Sequence, residues 1–198
     1  DHHRLDLFVK NANGRGVTRP WLTAWMDARS WKIVGWQLCW TPSGESILTS
    51  FRQGATDETI GLPHHLYLDN GRDYASKEFA GTGHRTRLST EGQVRVQTIT
   101  ETLNIGVTFA IPGNARAKTI ERFFRTLSEQ FAKRFDTYCG SDNKKRPEQL
   151  PALLKAGKVP TLAELQTKLE AYIQIYNKTA SSGEGREGLA PDQIFQRE

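Results

Sequence analysis

The chain is 198 residues long, 37% hydrophobic and 10% aromatic, which suits one domain with enough apolar material for a core. Negative mean hydropathy and the lack of any long apolar run exclude a membrane span. The two cysteines, Cys39 and Cys139, are too few and too far apart for a zinc site or a disulfide framework. The net charge is +5, and the surplus is concentrated: Arg116, Lys118, Arg122, Arg125, Lys133 and Arg134 stand against only Glu121 and Glu129 in one segment. Such a basic stripe is the footprint of a polyanion partner, although a charge run is also commonly a solvated helix face. No charged-then-apolar leader opens the sequence, so a reducing, cytoplasmic compartment is expected.

In chain order, residues 4–9 (RLDLFV) read as a strand and 12–16 (ANGRG) as a turn-rich loop. Two aromatic and β-branched runs, 18–27 and 30–40, follow as strands joined at Asp27-Ala28-Arg29, and they hold all five tryptophans. These three strands form an antiparallel meander. A helix capped by Ser43 or Ser46 runs to about Gly54, with Ile47, Leu48 and Phe51 on its apolar side. Residues 62–68 (LPHHLYL) have the short apolar character of a buried parallel strand. A short helix at 76–81, a polar excursion at 82–97, a helix at 98–106 ending on Gly106 and a strand at 107–111 come next. The Gly-containing stretch 112–118 leads into a long helix over 117–136, where Ile120, Phe123, Phe124, Leu127 and Phe131 mark one buried face. A second polar excursion, 137–160, precedes a C-terminal helical extension, 161–198. Its first helix (161–179) opens with Thr161 as N-cap and Glu164 completing a capping box, and a last short helix falls near 191–196. The pattern predicts a single α/β domain over 1–198, with a mixed five-stranded sheet (three antiparallel strands, then two parallel) and helices on both faces.

Within that layout a few acids fall at strand ends or helix starts. Asp69 ends the fourth strand in Asp69-Asn70-Gly71, although Asn-Gly is also ordinary turn chemistry. Asp73 is its rival, but only Asp69 adjoins the strand tip. Glu121 lies in the first turns of the long helix, flanked by Lys118 at i−3 and Arg125 at i+4. Asp1 and Asp6 bracket the first strand, and with the first and fourth strands adjacent one of the two would stand beside Asp69. Three carboxylates meeting there would repel one another without cations between them. Mg²⁺, hard and oxygen-preferring, would relieve that repulsion, and two such ions can clamp both oxygens of an in-line phosphoryl displacement, with the basic helix holding the phosphodiester backbone. The pairs His2-His3 and His64-His65 point to opposite faces of a strand and chelate poorly together. Asp27, in a hairpin turn, has a local structural use.

Asp1, the run YLDNGRDY (67–74) and the run IPGNARAKTIERFFRTL (111–127), in that order, resemble the D, D, E pattern of the retroviral-integrase superfamily. DARSWKIVGW (27–36) resembles that family's second hairpin turn, and YNKT (176–179) with GLAPDQIF (188–195) resembles its C-terminal ending. The opening DHHRLDLFV, the run RPWLTAW (19–25) and the long gap before Glu121 are similar to the phage Mu type of transposase core in particular. The resemblance covers essentially the whole chain and implies a ribonuclease H-like fold and a DDE transposase. It implies Asp1, Asp69 and Glu121 as catalytic residues and ligands of two Mg²⁺ or Mn²⁺ ions, and Asn70, Arg116, Lys118, Arg122 and Arg125 as DNA contacts. The implied reaction is hydrolysis of a phosphodiester at a transposon end, then transfer of the freed 3′ hydroxyl into target DNA. The implied partners are both DNAs and further copies of the chain in the assembled complex, with a monomer left open for the isolated core and no membrane, in a bacterial or phage-infected cell. A metal-dependent nuclease of the same fold that joins no strands, and a non-catalytic DNA-binding or assembly module, stay open beside it.

Overall fold

The computed structural model describes residues 1–69, 74, 79–80, 97–110, 119–140, 146–181 and 188–197. Along them run β1 (His2–Arg4), β2 (Val9–Lys10), β3 (Val17–Thr18), β4 (Trp21–Met26), β5 (Ile33–Cys39), α1 (Gly44–Ala55), β6 (His65–Leu68), α2 (Ile99–Thr102), β7 (Gly106–Phe109), α3 (Thr119–Gln130), α4 (Leu150–Lys155), α5 (Leu162–Lys178) and α6 (Pro191–Phe195). The expected meander forms: β1 pairs with β4 and β4 with β5, both antiparallel, in the order β1-β4-β5. β6 and β7 pair in parallel.

Two expectations about the sheet need correction. Among the described residues the strands do not join into one five-stranded sheet; β1-β4-β5 and β6-β7 are separate, and β2-β3 is a small antiparallel pair of its own. The two sheets meet through side chains: Trp25 of β4 packs on the cluster that holds Leu66 and Leu68 of β6, and Tyr74 packs against both His2 and Trp25. The strand expected over 4–9 breaks after Arg4. Its second half pairs with the start of the 137–160 excursion: Phe8 N–H donates to Thr137 O (3.0 Å), Cys139 N–H donates to Asp6 O (2.8 Å), and Leu7 bridges Tyr138. That excursion also contains α4. The helix expected over 98–106 is only α2, and Gly106 begins β7 instead of ending a helix. The helix expected to reach 136 stops at Gln130, and a tight 3-10 turn over Ala132–Arg134 follows it. The helix at 76–81, the excursion at 82–97 and the lead at 112–118 lie outside the described residues, apart from residues 79–80 and 97.

Alternation on β4 builds a core on each face of the antiparallel sheet. Leu22 and Ala24 belong to the cluster formed with Phe123, Phe124 and Leu127 of α3 and Leu165, Leu169 and Ile173 of α5. Thr23 and Trp25 face the other way, bonded to Ser46 (3.2 Å) and Ser50 (3.0 Å) of α1. There Ile47 and Phe51 join Leu66 and Leu68 of β6, Tyr74, Phe79 and Ile105. Helices therefore cover both faces, as the sequence predicts. Ser43 caps α1 with Ser46 in a capping box, and Thr161 with Glu164 does the same for α5.

The outer edge of β5 is closed by side-chain amides. Ile33 N–H donates to Asn177 Oδ1 (2.9 Å), Asn177 Nδ2 donates back to Ile33 O (3.0 Å), and Trp36 N–H donates to Gln53 Oε1 (2.7 Å). Lys32, at the start of this strand, pairs with Asp192 of α6 (3.1 Å). No described helix is long and apolar enough to cross a membrane.

α1 lies against β5 backbone to backbone. A Cβ on Gly35 would sit 2.1 Å from Ser50 O, and one on Gly54 would sit 2.5 Å from Val34 O, distances no real Cβ tolerates. Gly35→Ala or Gly54→Ala must push the helix off the strand, an overpacking cost of about 1–3 kcal/mol. The expected outcome is a melting temperature lower by roughly 3–10 °C, at about 2–4 °C per kcal/mol for a chain of this size, read by thermal denaturation.

Candidate active site

Asp1 is fixed by the sheet. Its backbone exchanges two hydrogen bonds with Ala24, N–H to O at 2.8 Å and O from N–H at 3.0 Å, and its Oδ1 accepts His2 N–H at 2.8 Å. Asp69 follows directly on Leu68, the last residue of β6. The two half-buried acids line one cavity of about 140 Å³, together with Trp25, Met26, Tyr67 and Tyr74 and with Thr119 and Ile120 at the start of α3. The strand tip, the opening residue and the head of the long helix thus reach a common place.

Glu121 is one residue beyond Ile120, exposed in the first turn of α3. Among the described residues no three His, Cys, Asp or Glu side chains are gathered as a metal cluster. Asp1 and Asp69 offer the oxygen donors a hard divalent ion prefers, and the cavity between them leaves room for water in its shell; Glu121 is not drawn in beside them. Nor does Glu121 form the expected ion pair with Arg125 among the described residues. An exposed i,i+4 pair is worth only a few tenths of a kcal/mol and is easily forgone.

Asp6, the alternative to Asp1, has a structural role instead. It is buried, with Oδ1 held by Arg19 (2.6 Å) and Oδ2 by the Ser128 hydroxyl of α3 (2.6 Å). Asp27 likewise serves its turn, accepting Ser30 N–H and Oγ–H at 2.7 and 2.6 Å. His2 and His3 do point to opposite faces. His2 Nδ1 lies 2.8 Å from Thr23 Oγ1 on the α1 side; His3 stacks on Phe124 of α3, ring centroids 4.8 Å apart and 12° from parallel. Burial pushes the His3 imidazole below its usual value, with Asp6 acting in the opposite sense. Its Nε2 is buried and has no hydrogen-bond partner among the described residues. Nothing in the run DHHRLDLFV marks this ring as one that clamps α3 one turn beyond Glu121.

Of the expected DNA contacts, Arg122 and Arg125 are exposed on the first turns of α3, whereas Asn70, Arg116 and Lys118, like the rival Asp73, lie outside the described residues. Arg122 lies over the Trp31 ring in a cation–π contact, its guanidinium carbon 5.0 Å from the ring centroid. This pair lines a second cavity, of about 340 Å³, between α3 and α5. Tyr172, on its wall, is pushed up to about 12, first by burial and then by Tyr176, with Arg134 opposing.

The comparisons agree with this architecture. The chain resembles a chain of the cryo-EM structure of a simian T-cell lymphotropic virus intasome in complex with PP2A regulatory subunit B56 gamma (TM-score 0.58, 15% identity, covering 98% of this chain and 52% of that one). It also resembles the HTLV-2 integrase catalytic core domain in complex with magnesium (0.52, 13%, 98% and 90%) and the BIV integrase catalytic core domain (0.55, 17%, 100% and 91%). The fold is therefore a ribonuclease H-like α/β fold. In sequence, the transposase for transposon Tn552 of Staphylococcus aureus is 26% identical over 151 residues, 72% of this chain and 28% of that protein, so the chain spans less than a third of that relative. A family model described as the TnsB C-terminal domain matches residues 1–136, and the chain belongs to that family.

Two outcomes test these contacts. If His3 acts only as a flat ring, His3→Phe keeps or raises the melting temperature, because it removes a buried unpartnered nitrogen worth about 1–3 kcal/mol, whereas His3→Ala lowers it. Tyr172 gives a pH signature. In the unfolded chain its phenol ionises near its ordinary 10.0, in the folded chain only near 12, so stability is full below pH 10 and falls as pH rises between those values. Tyr172→Phe should flatten that alkaline loss in melts taken across the range.

Proposed function

We propose that this domain is the catalytic core of a DDE transposase of the phage Mu type. The observation that carries the reading is the cavity shared by Asp1 and Asp69 with the head of α3 at its rim. In this reading Asp1, Asp69 and Glu121 hold two Mg²⁺ or Mn²⁺ ions. Bound there, the ions would supply Lewis-acid activation of the attacking oxygen and neutralise charge at phosphorus. The protein's own part is placement. The pairing with Ala24 and the bond from His2 N–H orient the Asp1 carboxylate, β6 delivers Asp69 at its tip, and the His3–Phe124 stack holds α3 so that Glu121 can close from the rim. Arg122 and Arg125, with Arg116, Lys118 and Asn70, contact the DNA backbone. The substrates are a transposon end, cut to release a 3′ hydroxyl, and a target DNA that this hydroxyl joins, in an assembly of several copies.

The test is a cleavage and joining assay on the intact protein with its element's own end, in Mg²⁺ and in Mn²⁺. Asp1→Asn, Asp69→Asn and Glu121→Gln are each expected to lower both steps by more than about a hundredfold. Asp6→Ala should instead lower the melting temperature, by loss of a buried partner of Arg19 worth about 3 kcal/mol, while keeping turnover at temperatures where the protein is folded. Cleavage without joined product would identify a nuclease; DNA binding with no turnover in either metal would identify a non-catalytic module.

A further inference from the structure

The larger cavity lies beside the catalytic one, and of the residues given a part in the reaction above it holds only Arg122. The β4–β5 turn separates them: Ala28 lines the smaller cavity and Trp31 the larger, just as Ile120 lines one and Arg122 the other. Trp31 stands at φ +64°, a region in which bulky side chains are genuine outliers. Such strain persists only where the surroundings enforce it, and it gathers at functional sites. Here the turn enforces it: Trp31 N–H donates to Asp27 O (3.0 Å), Asp27 N–H donates to Lys32 O (2.9 Å), and the Asp27 carboxylate holds Ser30. The strained backbone carries an indole that Arg122 covers at 5.0 Å.

The chemistry of the cleft is specific. A guanidinium held over an indole by its cation–π attraction still has N–H groups for a phosphate, which it can grip in a bidentate way. Phe123, Tyr172 and Tyr176 add aromatic wall, and Thr126 and Gln130 add polar groups for the edge of a planar ring. A volume of about 340 Å³ falls within the roughly 300–1,000 Å³ of small-molecule sites, too confined for stacked duplex but suited to one splayed nucleotide. Aromatic walls next to a phosphate-binding cation are how proteins hold unpaired strands. We propose that this cleft binds one unpaired nucleotide of single-stranded DNA, its phosphate on Arg122 and its base on the aromatic wall. The choice of DNA as ligand rests on the function proposed above; the site itself rests on the strained tryptophan, the arginine over its ring and the cavity.

A fluorescein-labelled dT hexanucleotide and a short duplex, both titrated into the intact protein by anisotropy, test the assignment. Two variants are compared with the unaltered protein: Trp31→Gly, which the positive φ accommodates, and Thr126→Trp, which fills the cleft. The expected result is hexanucleotide binding that each variant weakens about tenfold or more, with a clearly smaller effect on the duplex. The proposal is overturned if the unaltered protein does not bind the hexanucleotide, if neither variant changes that binding, or if both DNAs weaken equally. Loss of hexanucleotide binding in the variants of a protein that joins no DNA ends would sustain the cleft and sink the transposase reading. An active transposase whose hexanucleotide binding ignores both substitutions would do the reverse.

Discussion

Two backbone hydrogen bonds between Asp1 and Ala24 set the register on which the candidate site depends. Successive side chains of a strand alternate between its faces, so this pairing fixes three residues together. Asp1 and His3 lie on the side of α3, and His2 lies on the side of α1, where its imidazole meets Thr23. A slip of one residue would send Asp1 to the wrong face and replace the ring on Phe124 with another. The register is secured in turn by Leu22 and Ala24, fully buried against α3 and α5, whose exposure would be the penalty of any slip.

The site sits at the seam between two cores. One, under α3 and α5, carries the head of the long helix; the other, under α1, carries β6 and its terminal acid. Trp25 packs into the second, and its neighbours Ala24 and Met26 line the shared cavity with it. Beyond its exposed first turn, α3 is tied to the opening segment of the chain by the ring stack of His3 on Phe124 and, one turn further on, by the bond from the Ser128 hydroxyl to Asp6.

Much of this was legible in the residues. The Thr161-x-x-Glu164 box marked the start of α5 to the residue, the apolar stripe of α3 identified its buried face, and the aromatic runs around Asp27 fixed the hairpin. Those signals are local, and local periodicity reports them faithfully. The features that the residues do not announce are set by partners distant in the chain. Nothing in RLDLFV shows that Asp6 meets Arg19 and Ser128, or that Leu7 pairs with Tyr138 and so ends the first strand early. Nothing in DARSW shows that Trp31 adopts a glycine-like backbone. Asp69 was read from its strand-end position, whereas the His3 clamp required knowing which face α3 would cover.

The Tyr-Asn pair of α5 belongs to the family resemblance, yet Asn177 has a role that physics alone supplies. A sheet's last strand offers a row of unsatisfied amides and carbonyls to any passing chain. By giving and taking one bond at Ile33, a single carboxamide masks the start of β5 from such pairing. An aspartate there could accept but not donate, and a leucine could do neither. Either replacement would uncover the start of β5 as a template for intermolecular strand addition, leaving Gln53 to cover only Trp36 further along the edge.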